Sequence, residues 1–126
     1  MILGIGIDLA ELPRISKALE RWGERFLNRL LTEREMAALP HGKERKNAWV
    51  AGRFAAKEAA VKALGTGFAQ GIGPRNIEII TMPGGAPGMI LHGAAQEKAQ
   101  NMGVTRIHVS LTHERTMAAA VVIFES

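Results

Sequence analysis

Residues 45–67 read RKNAWVAGRFAAKEAAVKALGTG, and this stretch decides the fold class. It belongs to a helix that the pattern predicts from about Glu44 to Leu64, with Gly65 as its natural C-terminal stop. Before it, the chain reads mostly as helix. From Arg14 to about Leu31 the residues Ile15, Leu19, Trp22, Phe26 and Leu30 recur at helical spacing. Arg14, Lys17, Arg21 and Arg25 share roughly the opposite arc. A second helix is predicted after Thr32, an N-cap with Glu35 three residues on, and is expected to end near Pro40. Beyond Gly65 the period falls to two. Strands are predicted over 76–81, 89–92, 106–112 and 116–124, with a turn at Gly84–Gly88 and a short helix over 94–102. The last strand, rich in Ala and Val, reads as buried on both faces. At the other end, MILGIGID (residues 1–8) sets Leu3, Ile5 and Ile7 against Gly4, Gly6 and Asp8 and reads as a strand ending at the aspartate. The order β-ααα-ββ-α-ββ predicts an α+β fold with an antiparallel-rich sheet, not a doubly wound one.

Composition narrows the field. The 126 residues suit one domain, 1–126, able to bury a core unaided. No cysteine is present, which excludes disulfides, thiolate metal sites and a cysteine nucleophile. The uncharged start is not read as a signal peptide, and no run approaches a membrane span. The expected location is the cytoplasm. The charge is uneven: residues 1–62 hold twelve of the sixteen cations and eight of the twelve acids, and so carry the whole net +4. That excess points to an acidic or phosphorylated partner. Nucleic acid fits the charge but not the aromatic content of 5% with no tyrosine.

Four groups are candidates for function. Asp8 closes a glycine-rich strand, where a carboxylate either faces a hard cation such as Mg²⁺ or caps the turn that follows. GIGIDL is no dinucleotide fingerprint, because Leu9 occupies the third glycine position. Glu58 and Lys62 stand at i and i+4 on an otherwise apolar face that runs into Gly65-Thr66-Gly67. A surface ion pair is the plain alternative. HVSLTHE (108–114) puts His108, Ser110 and Thr112 on one strand face with His113 at its end. It lacks the G-x-S-x-G elbow of a serine hydrolase. The cationic stripe Arg14, Lys17, Arg21, Arg25 suits either solvent or an acidic partner.

Taken together, GIGIDLAELPRI (4–15), RKNAWVAGRFAAKEAAVKALGTG (45–67) and HVSLTHERTMAAAVVI (108–123) closely resemble the holo-[acyl-carrier-protein] synthases. These are the small bacterial 4′-phosphopantetheinyl transferases. The resemblance implies transfer of 4′-phosphopantetheine from coenzyme A to a serine of apo acyl carrier protein. The products are holo carrier protein, for fatty acid biosynthesis, and adenosine 3′,5′-bisphosphate. It implies that Asp8 and Glu58 hold Mg²⁺ and that Lys62 neutralises charge on the leaving phosphate. It implies that Gly65, Thr66, Gly67 and Pro87 line the coenzyme A site. Arg45, Lys46, Arg53 and His113 are its implied phosphate contacts. Arg14, Arg21 and Arg25 match the positions that bind the acidic, helical carrier. A homotrimer with shared active sites is implied, with neither nucleic acid nor membrane as partner. Two departures stand out. Gly85-Ala86-Pro87 replaces the Gly-Lys-Pro of many members, and position 13 is proline. A nucleic-acid module leaves Asp8, Glu58 and the GTG loop without purpose. A different Mg²⁺-dependent phosphotransferase keeps the site and discards the carrier.

Overall fold

The computed structural model describes all residues, Met1–Ser126. Its strands are β1 (Ile2–Glu11), β2 (Ile77–Thr81), β3 (Pro87–Leu91), β4 (Arg106–His113) and β5 (Met117–Glu125). Its α-helices are α1 (Leu12–Trp22), α2 (Glu24–Leu30), α3 (Glu33–Ala37), α4 (Lys43–Leu64) and α5 (Gly93–Met102). The architecture is α+β, as the periodicity predicts. An antiparallel sheet in the order β1-β5-β4 lies against α4, and β2 pairs with β3 in a separate hairpin.

Two differences from the sequence reading bear on the site, and β3 also starts at Pro87, inside the turn expected over Gly84–Gly88. β1 does not end at Asp8, because pairing with β5 continues to Glu11 opposite Met117. The helix expected over 14–31 is divided at Gly23, whose φ of 52° and ψ of −127° break the helical path. The break resets the phase. Trp22 leaves the core, 47% exposed, and Leu27 is buried instead. Arg21 and Arg25 lie over the Trp22 ring, 4.9 and 5.8 Å from its centroid.

The core sits between α4 and the inner face of the sheet. Ala118, Ala120, Val122 and Phe124 of β5 meet Ala55, Ala56, Ala59 and Ala63 there. The expectation that β5 is buried on both faces is corrected. Its second face, Met117, Ala119, Val121 and Ile123, is only half-buried, since no element of this chain covers it. Beside it, Ile5, Ile7 and Leu9 of β1 are 62%, 64% and 61% exposed. The result is a contiguous apolar sheet face.

Candidate active site

The glycines of β1 determine how α4 meets the sheet. A Cβ at Gly6 would stand 1.7 Å from the carbonyl oxygen of Ala59, and one at Gly4 2.3 Å from that of Ala63. Only hydrogen fits at either position, so strand backbone rests directly on helix backbone. The strand descends the helix as its numbering rises, and the inward position after Gly6 is Asp8. Its carboxylate thereby meets α4 where Glu58 and Lys62 emerge. Lys62 does not pair with Glu58, its i−4 neighbour. Its Nζ donates to Asp8 Oδ1 at 2.9 Å and to the Ile7 carbonyl at 3.0 Å. The Asp8 side chain is 16% exposed and that of Lys62 54%. Glu58 is half-buried, and its carboxyl is pushed above its ordinary pKa, first by burial and then by the Asp8 charge. Lys62 opposes that rise.

The carboxylates of Asp8 on β1 and Glu58 on α4, with the Ile7 carbonyl, make a hard oxygen set. The Lys62 ammonium already stands among them as an internal cation. No third carboxylate or imidazole completes a protein cage. This donor set fits Mg²⁺, which keeps several ligands for water and substrate phosphate.

A second cluster forms at the opposite edge of the sheet. A cleft of about 280 Å³ is lined by Arg45, Trp49 and Arg53 of α4 with Leu111, Thr112 and His113 of β4. The Arg53 guanidinium lies 4.1 Å from the Trp49 ring centroid. Its Nε is buried with no hydrogen-bond partner. Burial holds its pKa below the usual arginine value, with the Glu35 charge opposing. An unpartnered guanidinium N–H beside a second arginine and a histidine is suited to an anion.

The sequence pattern of the 4′-phosphopantetheinyl transferase superfamily matches residues 4–122. A holo-[acyl-carrier-protein] synthase of Nitratidesulfovibrio vulgaris is 56% identical over 126 residues, covering all of both chains. The crystal structure of the Neisseria meningitidis holo-[acyl-carrier-protein] synthase superposes with a TM-score of 0.89 at 35% identity, covering 100% of each chain. That of the Helicobacter pylori synthase in complex with coenzyme A superposes at 0.83 and 32%, over 96% of this chain and 99% of the other. The chain belongs to the holo-[acyl-carrier-protein] synthase family.

The other residues that the family resemblance singles out fall in separate places. Lys46 lies outside the Arg53 cleft and lines a larger depression with Leu19, Met36 and Lys43. Gly65 ends α4 in the left-handed region, φ 78°, with its N–H on the Lys62 carbonyl at 3.0 Å. Thr66 and Gly67 both donate their N–H to the Val61 carbonyl. No atom of the chain crowds a Cβ at Gly65 or Gly67, so conformation and not close packing requires glycine at Gly65. Pro87 opens β3 opposite Thr81, in the hairpin that contributes nothing to the Arg53 cleft. Arg14 rims a small apolar slot with Leu9, Phe26 and Phe54. Arg21 and Arg25 bracket Trp22.

The sequence reading did not anticipate Lys57. Its side chain is fully buried, and its Nζ donates to Glu35 Oε1 at 2.7 Å and to the carbonyls of Pro74 and Ile77 at 3.0 and 2.6 Å. Glu35 also closes the expected capping box with Thr32 and accepts the Ile79 N–H at 2.9 Å. A signal for this was present. Lys57 falls on the helical stripe of Val50, Val61 and Leu64, where a charge demands a partner.

Proposed function

We propose that this chain transfers 4′-phosphopantetheine from coenzyme A to a serine of apo acyl carrier protein, in a Mg²⁺-dependent reaction that serves fatty acid biosynthesis in the cytoplasm. The observation that carries this reading is the meeting of Asp8, Glu58 and Lys62 at the β1–α4 contact. It occurs in a chain matched end to end by synthases of that name. The serine oxygen forms a bond to the phosphorus on the pantetheine side of the diphosphate. The bridging P–O bond breaks, adenosine 3′,5′-bisphosphate departs, and the hydroxyl proton is taken up by a base. Mg²⁺, held by Asp8 and Glu58, would polarise that phosphorus and offset the diphosphate charge. The Lys62 ammonium is in reach to donate to the leaving phosphate. Glu58 or a water molecule at the site accepts that proton. Arg45, Arg53 and His113 hold further phosphate of coenzyme A, with Lys46, the Gly65–Gly67 loop and Pro87 lining its path.

The two clusters lie on opposite edges of the sheet, Asp8 on β1 and His113 on β4. The two strands are about 9.6 Å apart, two strand spacings, and His113 is offset by a further two residues from the level of Asp8. Arg53 and Glu58 are about 7.5 Å apart along α4 and about 140° apart around it. A cyclic homotrimer in which the β1 edge of one copy meets the β4 edge of the next would join both clusters at each boundary. The exposed Ile5, Ile7 and Leu9 face supplies the apolar surface for it. Arg14, Arg21 and Arg25, with the exposed Trp22 between the last two, make the face for the acidic carrier.

Mass spectrometry of apo carrier incubated with coenzyme A and Mg²⁺ tests the reaction. The carrier gains one phosphopantetheine, and the gain disappears with Glu58→Ala or chelator; no gain with folded protein and an accepted carrier overturns the reading. Reversal of Arg14 and Arg21 to Glu raises the carrier KM steeply, and most at low salt. An unchanged KM removes that face. Ile5→Lys yields an inactive monomer in sedimentation, whereas a fully active monomer would refute the shared site.

A further inference from the structure

We propose that Lys62 is an exchangeable internal cation. In the free protein its ammonium occupies the Asp8 position that a divalent ion takes, and it is released toward the diphosphate when that ion enters. The inference rests on the metal reading of Asp8 and Glu58 given above. The ammonium lies 2.9 Å from Asp8 Oδ1 and 3.0 Å from the Ile7 carbonyl. A Mg²⁺ ion binds carboxylate oxygen at about 2.0–2.1 Å. The ion and an ammonium still in contact would compete for one oxygen and repel each other. Lys62 is built to leave. Of its three N–H donors two are engaged within the chain, and its side chain is 54% exposed. The third is free for water. Release therefore buries nothing and strands no donor.

The consequence is coupling. The Lys62–Asp8 contact lowers the affinity of the free protein for the ion, and a bound diphosphate restores it by taking the ammonium. Ion and coenzyme A thus each favour the other. Electron paramagnetic resonance of Mn²⁺ binding, without coenzyme A, tests this on the wild type, Lys62→Met and Asp8→Asn. The expected result is binding about two- to fivefold tighter in Lys62→Met, the range of an exposed ion pair. The factor by which coenzyme A tightens Mn²⁺ should be smaller in that variant. In wild-type protein, the Lys62 side-chain NMR signal should move toward that of a solvated lysine when Mg²⁺ is added alone. Unchanged or weaker Mn²⁺ binding in Lys62→Met overturns the proposal. Tighter binding with no movement of the Lys62 signal also overturns it, leaving only a field effect. If Asp8→Asn binds Mn²⁺ as the wild type does, the metal reading of Asp8 itself fails.

Discussion

Two lysines five residues apart on α4 each face a carboxylate, and they do opposite things. Lys57 is fully buried against Glu35, and all three of its protons are used, by one carboxylate and two carbonyls. Lys62 is half in water against Asp8, with two acceptors. The first pair ties α3 and the start of β2 to the helix. It cannot open without leaving charges in a dry interior. The second can open at small cost, and it sits beside Glu58, which burial and the Asp8 charge leave under-stabilised as an anion. Completeness of hydrogen bonding, more than the presence of an ion pair, separates a structural pair from one available for chemistry.

Breaking the buried pair should have the largest effect. Lys57→Met leaves Glu35 unpaired and destabilises the protein by about 3–5 kcal/mol, read by urea unfolding. Adding Glu35→Met recovers only part of this, because the N–H groups of Thr32 and Ile79 lose their acceptor. A next effect of about 1–3 kcal/mol follows from Gly6→Ala, whose methyl group would collide with the Ala59 carbonyl. The strand must lift from α4 there, so transfer activity falls by more than the folded fraction does. Activity that tracks folding alone would detach the glycine contact from the site. Lys62→Met should cost no more than about 1 kcal/mol of stability, as an exposed pair does. A loss comparable to that of Lys57→Met would erase the distinction.

The sequence carried much of this in local terms. The periods of 3.6 and 2, the Gly65 stop and the Thr32–Glu35 box were all readable from near neighbours, and the structure has them within a few residues. What escaped depended on distant partners. That Gly4 and Gly6, not Ile5 and Ile7, face the core follows only once β1 is laid on an alanine-rich helix some fifty residues away. The signal was there in the pairing of Gly-x-Gly with Ala55, Ala59 and Ala63. Nothing near Lys57 in the sequence names its partner, because Glu35 is twenty-two residues distant. Gly23 interrupts an apolar pattern that continues through it, and its backbone angles, not its neighbours, divide the helix. Asp8, Glu58 and Lys62 were each visible, whereas the preference of Lys62 for Asp8 over Glu58 required the strand's register on the helix.

The smallest expected effect is also the most diagnostic of the exposed site. Glu58 has its pKa raised above the ordinary carboxylate value by burial and by Asp8. Between those two values the native state holds a proton that the unfolded chain has released. The stability that this proton contributes is complete at acid pH and is lost as pH rises through the native pKa. At neutral pH an ionised Glu58 next to Asp8 is therefore a liability in metal-free protein. Glu58→Gln should raise the melting temperature modestly, with a gain that grows from acid toward neutral pH and then levels. Mg²⁺ should stabilise the wild type by mass action and leave Glu58→Gln nearly unmoved. A gain independent of pH would mean that the variant acts through packing. Equal stabilisation of both proteins by Mg²⁺ would place the ion elsewhere and remove Glu58 from its coordination.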